Sequence, residues 1–429
     1  MIACNRKRSR ATPTDCIIED RFSKCSKCAS ECEVIVERAL KSNKKTTGRR
    51  TVTEKPFGII DSTLREGEQT PGVTFSDAAR RTIIHHLHQV GVDEIELGLA
   101  TPAHNHLSTL VSDARKITGS ACRLGLWSRC RKEDILFAAS CEPDVLSISI
   151  PVSDLHIEKR LKKDRTWVRQ TLAASIRQGL ALGIPYISVG LEDSSRAAPD
   201  FLLQVIRIAE QNGARRVRLA DTVGTCTPGR MQQLVEPARS AVTIEIGVHC
   251  HNDFGMATAN SIAAVEAGAK WLDATVLGLG ERAGNCRLEE VVGFTALIGN
   301  APHYQPQRLP ELCHYVAKVT GIRIPGNHPI IGEHIFTCET GLHQHGLAIT
   351  PETYEPYEPH RVGTARKFRF GSKTGMRALN LQLIKRGLHL DDIQIRSLAS
   401  LIRSGRYAFN EEQLFRFARQ NIQSLSTGN

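Results

Sequence analysis

His249 and His251 stand two residues apart at the end of an apolar run from Ile244, within His249-Cys250-His251-Asn252-Asp253. Alternate residues on a strand share a face, so both imidazoles point the same way. Two imidazoles and a carboxylate form a divalent metal site with open positions, the arrangement used when a metal must also bind substrate. The carboxylate is offered much earlier in the chain, where the run Phe57-Gly58-Ile59-Ile60 stops at Asp61-Ser62-Thr63-Leu64-Arg65-Glu66-Gly67-Glu68-Gln69. Asp61 and Glu66 begin as equal candidates, and the need for a ligand at the very end of the strand favours Glu66. Asn285, in Gly278-Leu279-Gly280-Glu281-Arg282-Ala283-Gly284-Asn285, offers a fourth oxygen beside glycines that let backbone approach a ligand.

Other residues could complete the chemistry. Arg65 is costly to bury unpaired; it either polarises a carbonyl and stabilises the oxyanion that develops there, or pairs with Glu68 at the surface. Glu192-Asp193 and Asp221-Thr222 end two further strands, where they contact substrate or cap the next helix. Arg129 is a fork for a substrate carboxylate or, with Arg131 and Lys132, part of a solvated basic loop. In Thr337-Cys338-Glu339-Thr340-Gly341-Leu342-His343-Gln344-His345-Gly346, two histidines suit proton transfer near neutrality, or make a metal-free turn.

These residues can meet only if the chain forms a barrel. Strand-like runs occur at 58–60, 94–99, 122–127, 145–150, 186–191, 216–220, 244–249 and 271–277. Helical patterns separate them: Ser76-Asp77 opens one that Gly91 closes, Pro199-Asp200 opens one that Gly213 closes, and Thr227-Pro228 opens a third. Eight such alternations predict a (β/α)₈ barrel, with chemistry at the C-terminal ends of the strands. The expected domains are a basic cysteine-containing leader (1–55, disordered), the barrel (56–300), and a linker with a small, mostly helical subdomain (301–429).

The 429 residues are 41% hydrophobic, enough for a large core. No apolar run reaches the length of a membrane helix, and no secretory signal precedes the barrel. Thirteen scattered cysteines fit reduced thiols in a cytoplasm better than a disulfide scaffold. The net charge is +11, and residues 1–55 hold fourteen Lys/Arg against seven Asp/Glu. Most of the excess therefore lies in the leader, and nothing in the strands suggests base readout, so nucleic acid is not an expected partner. Within the leader, Cys25, Cys28 and Cys32 lack a well-spaced fourth ligand for zinc.

DSTLREGEQTPG, HCHNDFG, GLGERAGN and ETGLHQHG, in that order, resemble the metal-dependent Claisen-condensing acyltransferases: isopropylmalate, citramalate and homocitrate synthases. The resemblance runs from about Phe57 to about Gly375. It implies that Arg65 polarises a 2-oxo acid and that Glu66, His249, His251 and Asn285 surround one divalent ion (Mg, Mn or Zn). It further implies that Glu192 and His343 serve proton abstraction with Tyr354 beside the histidine, that acetyl-CoA is the co-substrate, and that the chain forms a domain-swapped homodimer. The stretches around Trp127-Ser128-Arg129, Ser149-Ile150-Pro151-Val152-Ser153-Asp154 and Glu192-Asp193-Ser194-Ser195-Arg196 resemble the homocitrate synthases of nitrogen-fixing bacteria. There Arg129 would hold the distal carboxylate of 2-oxoglutarate, with Ser149 and Thr222 nearby. Glu66 stands where that subgroup more often has Asp, and Cys338 where a histidine is usual. 2-Isopropylmalate synthase, citramalate synthase and a carbon–carbon lyase on the same barrel are the alternative readings.

Overall fold

The computed structural model describes residues 57–299 and 301–427; the leader, with Cys25, Cys28 and Cys32, lies outside them. Eight strands, β1 (Gly58–Asp61), β2 (Glu94–Leu99), β3 (Arg123–Arg129), β4 (Val145–Pro151), β5 (Ile187–Glu192), β6 (Arg216–Asp221), β7 (Glu245–Cys250) and β8 (Trp271–Ala274), pair in parallel in chain order. β8 bonds back to β1, with Gly58 opposite Trp271 and Asp61 opposite Ala274, and the barrel closes. A helix follows each strand: α1 (Asp77–Val90), α2 (Leu107–Thr118), α3 (Lys132–Ser140), α4 (Arg165–Ala181), α5 (Pro199–Gln211), α6 (Pro228–Ala241), α7 (Ala257–Glu266) and α8 (Leu288–Leu297).

The punctuation works as its chemistry dictates. The Ser76 side chain accepts from the Ala79 amide, and Gly91, at φ +89°, ends α1 in the left-handed region where a side chain would be strained. Between those caps Ile83, Ile84, Leu87 and Val90 are buried at helical spacing, each burial contributing about 1.5–3 kcal/mol. Strand eight is shorter than its apolar run. After Ala274 the chain turns through Leu277, at φ +58°, whose amide donates to the buried carboxylate of Glu289 at 3.0 Å. That bond holds a leucine in a conformation its sequence disfavours.

Glu289 also accepts from the Nε2 of His328 at 2.8 Å, with both side chains buried. Residues after the last barrel helix thus enter the barrel's own core. Tyr304 donates to Asp93 at 2.6 Å, and Leu309, Leu312 and Val316 of α9 (Leu309–Thr320) join the core cluster.

The remainder builds a second core. α10 (Gly341–Ile349), α11 (Met376–Ile384), α12 (Asp392–Arg403) and α13 (Glu411–Gln420) surround a small sheet of β9 (Thr337–Cys338), β10 (Lys367–Phe370) and β11 (Phe409–Asn410), in the order β11-β10-β9. Leu347, Phe368, Phe370, Leu379 and Leu398 pack there. The sequence pattern predicts a mostly helical subdomain and no sheet here, because strands of two to four residues carry too little alternation to register.

Candidate active site and metal centre

Immediately after β1 the backbone curls into a tight turn in which the Ser62 carbonyl accepts from the amides of Arg65, Glu66 and Gly67. Asp61 braces that turn by accepting from both the amide and the hydroxyl of Thr63, at 3.0 and 2.9 Å. Both carboxylate oxygens are thereby engaged. Burial pushes the Asp61 carboxyl up to about 7. The turn carries Glu66 over the barrel mouth, where ligand atoms of Glu66, His249 and His251 lie within 4.8 Å of one another. All three side chains are buried.

These donors suit a divalent cation. His249 turns its Nδ1 to Asp273 at 2.8 Å, which fixes the proton there and leaves Nε2 as the lone-pair atom, the usual orientation for a ligating histidine. Burial and the neighbouring His249 push His251 down to about 3, so its ring is neutral, the form that binds metals. Two buried atoms, His251 Nδ1 and Asn285 Oδ1, have no hydrogen-bond partner, whereas the Asn285 amide nitrogen donates to the Leu279 carbonyl at 2.8 Å. Asn285 thus presents its oxygen and not its nitrogen. Its loop is held by Gly284, where φ is +86° and a Cβ would sit 1.9 Å from the Gly278 carbonyl oxygen; no other residue fits.

Arg65 lies beside this group in a salt bridge with Glu66, and its Nε donates to Glu96 at 2.5 Å. Glu96 also accepts from Ser62 and pairs with Arg218, which reaches Asp273 at 2.8 Å. A continuous buried chain therefore runs Arg65, Glu96, Arg218, Asp273, His249. Burial alone would raise the Glu96 carboxyl, but Arg65 and Arg218 hold it down at about 2. Burial lowers the Arg65 guanidinium, and Glu96 opposes that loss. The five residues form a preorganised electrostatic platform beneath the cleft.

The cleft above, about 220 Å³, brings Arg65, Glu66, His249 and His251 together with Ser149, Thr222 and Glu192. Ser149 donates to Glu192 at 3.1 Å, and the Thr222 hydroxyl accepts from the Asp193 amide at 2.8 Å. Arg129 does not line it. Its guanidinium is forked onto Asp134 in the first turn of α3, at 2.7 and 3.2 Å. His343 and Tyr354, with ring centres 4.2 Å apart, lie on and just beyond α10 and do not line the cleft of their own chain.

The sequence reading missed Glu96, Arg218, Asp273 and Arg160, which also lines the cleft. The signal for Glu96 and Arg218 was charge at strand spacing, Glu94-Ile95-Glu96 and Arg216-Val217-Arg218, where alternate residues share the interior face; Asp273 is a lone acid in an apolar strand and had no such pattern. Arg160 ends a single π-helical turn, Leu155–Arg160, which has no sequence signature.

Comparison with known proteins places the chain. A family model described as HMGL-like matches residues 57–316, and one described as homocitrate synthase post-HMGL domain-like matches residues 330–407. A 2-isopropylmalate synthase of Caldanaerobacter subterraneus subsp. tengcongensis is 40% identical over 327 residues, 76% of this chain and 84% of that one. A homocitrate synthase of Methanopyrus kandleri is 37% identical over 335 residues, 78% of this chain and 84% of that one. Among solved structures, a hydroxymethylglutaryl-CoA lyase from Pseudomonas aeruginosa superposes with a TM-score of 0.56 at 17% identity, covering 62% of this chain and 93% of that one. At that identity the likeness is one of fold.

Proposed function

The chain belongs to the HMGL-like family, and from that premise we propose that it is a homocitrate synthase, condensing acetyl-CoA with 2-oxoglutarate to give homocitrate and CoA. The observation that carries the reaction class is the buried Glu66, His249 and His251 group beside Arg65 at the C-terminal mouth of the barrel. The acceptor is supported by the stretches resembling the nitrogen-fixation homocitrate synthases, because Trp127, Ser149 and Glu192 of those stretches line the cleft. The match of residues 330–407 to the homocitrate synthase post-HMGL model points the same way. In this reading the enzyme is cytoplasmic and serves nitrogenase cofactor biosynthesis.

Glu66, His249, His251 and Asn285 would hold one divalent ion, Mg, Mn or Zn, which supplies Lewis acidity toward the 2-oxo acid carbonyl. Arg65, fixed by Glu96, directs its charge at the alkoxide that develops as the ketone carbon is attacked. His343, contributed by a second copy of the chain in a domain-swapped homodimer, with Tyr354 beside it and Glu192 coupled to it, removes a proton from the acetyl methyl group. The new bond joins that methyl carbon to the ketone carbon. The alkoxide takes up a proton, and water cleaves the thioester to release CoA. Ser149 and Thr222 line the wall against which the acceptor lies.

A second reading, 2-isopropylmalate synthase, is favoured by the name of the 40% identical relative. CoA release measured across 2-oxoglutarate, 2-oxoisovalerate and pyruvate separates the two. Preference for 2-oxoglutarate is expected; preference for either of the others overturns the acceptor assignment. Full activity of Glu66→Gln would remove the metal role.

A further inference from the structure

Arg65, Arg160 and Arg218 line the cleft, and Arg129 stands in register with Ser149 at its edge; three of these four are held by buried carboxylates. Arg65 is bound by Glu66 and Glu96, Arg218 by Glu96 and Asp273, and Arg129 by Asp134. Arg160 differs from them. Its side chain is 52% exposed, and its partner is Glu192, itself 24% exposed. A partly solvated pair of this kind is weak and exchangeable, unlike a pair sealed in the barrel.

Its position matters as much as its freedom. Glu66 follows β1 and His249 lies on β7, the two neighbours of β8. Ser149 and Glu192 lie on β4 and β5, which a closed eight-stranded order sets on the wall opposite β8. Arg160 enters the cleft from the segment that follows β4. A five-carbon acceptor held by its 2-oxo end near the histidines would therefore extend its far end toward Ser149 and Arg160. The β4–β5 wall tolerates no side chain there. Residue 190 is glycine, and a Cβ at that position would stand 3.1 Å from Ser149 Oγ, in the space a carboxylate would use.

We infer that Arg160, with the Ser149 hydroxyl, is the specificity-determining clamp for a distal carboxylate on the 2-oxo acid, and that the acceptor displaces Glu192 from Arg160 as it binds. The inference rests on the dicarboxylic acceptor proposed above. It assigns to Arg160 the role that sequence alone gives to Arg129, and it couples acceptor binding to release of Glu192 for the proton-transfer step.

The test compares kcat/KM for 2-oxoglutarate with that for 2-oxovalerate, which has the same chain length without the distal carboxylate. Loss of one charge-assisted contact in Arg160→Gln should shrink the preference for 2-oxoglutarate by about 10- to 100-fold, mostly through KM, and Arg160→Lys should restore part of it. Arg129→Gln should leave the ratio within about twofold of wild type, less than the loss of one such contact. If Arg160→Gln lowers both substrates equally and the ratio is preserved, Arg160 acts only on Glu192 and the clamp is overturned. A wild-type enzyme with no preference for 2-oxoglutarate over 2-oxovalerate would instead sink the homocitrate reading itself, before any variant is made. Gly190→Ala provides a second check: it should narrow the same end and raise KM for 2-oxoglutarate more than for pyruvate, and an equal rise in both counts against the clamp.

Discussion

Two arginine–glutamate pairs are buried in the same barrel, one strand step apart, and they end differently. In the lower pair every guanidinium nitrogen of Arg216 is engaged: Nε donates to Ser188, and Nη1 and Nη2 donate to the two oxygens of Glu94. The rings of Trp271 and Tyr186 close over it at 4.8 and 5.3 Å. In the upper pair, Arg218 and Glu96 pass their charges onward to Asp273, His249 and Arg65. That chain keeps an unpartnered atom of its own, Asp273 Oδ1, and beside it lie two more, His251 Nδ1 and Asn285 Oδ1. The same ion pair is a sealed joint in one layer and the base of a reactive surface in the next. Buried charge marks function here only where the network is left open.

The sharpest way to break this contrast is at the sealed joint. Arg216→Ala leaves the buried Glu94 with only Arg123, at 3.3 Å, to offset its charge and should cost up to about 3–5 kcal/mol of stability, read as a fall in the denaturation midpoint. A loss below about 1 kcal/mol, the range of a surface pair, would mean that the lower layer is not structural. Asp273→Asn probes the open layer. The substitution preserves shape and an acceptor for His249 but weakens its basicity, so divalent-metal affinity should fall about 10- to 100-fold by titration with a smaller loss of stability than in Arg216→Ala. Should metal affinity stay unchanged while the fold collapses, the two layers would be equivalent and the distinction gone.

The effect spread most thinly over conditions belongs to Asp61, a group of the upper rim with both oxygens engaged. Its buried carboxyl titrates at about 7, above its usual 3.8. Between those values the folded chain keeps a proton that the unfolded chain has released, so stability falls as pH rises from about 4 to about 7. One group contributes at most about 1.4 kcal/mol per pH unit. Asp61→Asn should flatten that part of the stability curve, measured by denaturation at stepped pH. An unchanged slope would show that another group carries it.

The strands were legible because apolar runs stop at charges, and the helices because Ser76, Gly91 and Thr227 are caps whose geometry follows from their chemistry. Glu66, His249 and His251, which the structure brings together, were legible for the same reason: they stand at or just beyond the end of a strand. The charged interior was not. Glu94 and Arg216 are separated by 122 residues, and nothing local says that two strands on opposite sides of a barrel will match their charges. Arg129 was misleading for the reverse reason. Its partner, Asp134, is five residues away, and a strand-end arginine looks the same whether it faces a substrate or the next helix.

The anchor at Glu289 has a consequence for how such a barrel can be cut, joined or exchanged. One carboxylate holds the Leu277 amide, in the turn that leads to the Asn285 loop, and the His328 ring, well beyond the last barrel helix. A cut at residue 300 would strip that acid of its imidazole and leave its other oxygen on the turn that leads to the Asn285 loop. The portable unit is therefore longer than the eight repeats: it runs at least to His328, and a recombination that swaps the tail must leave that histidine with the barrel.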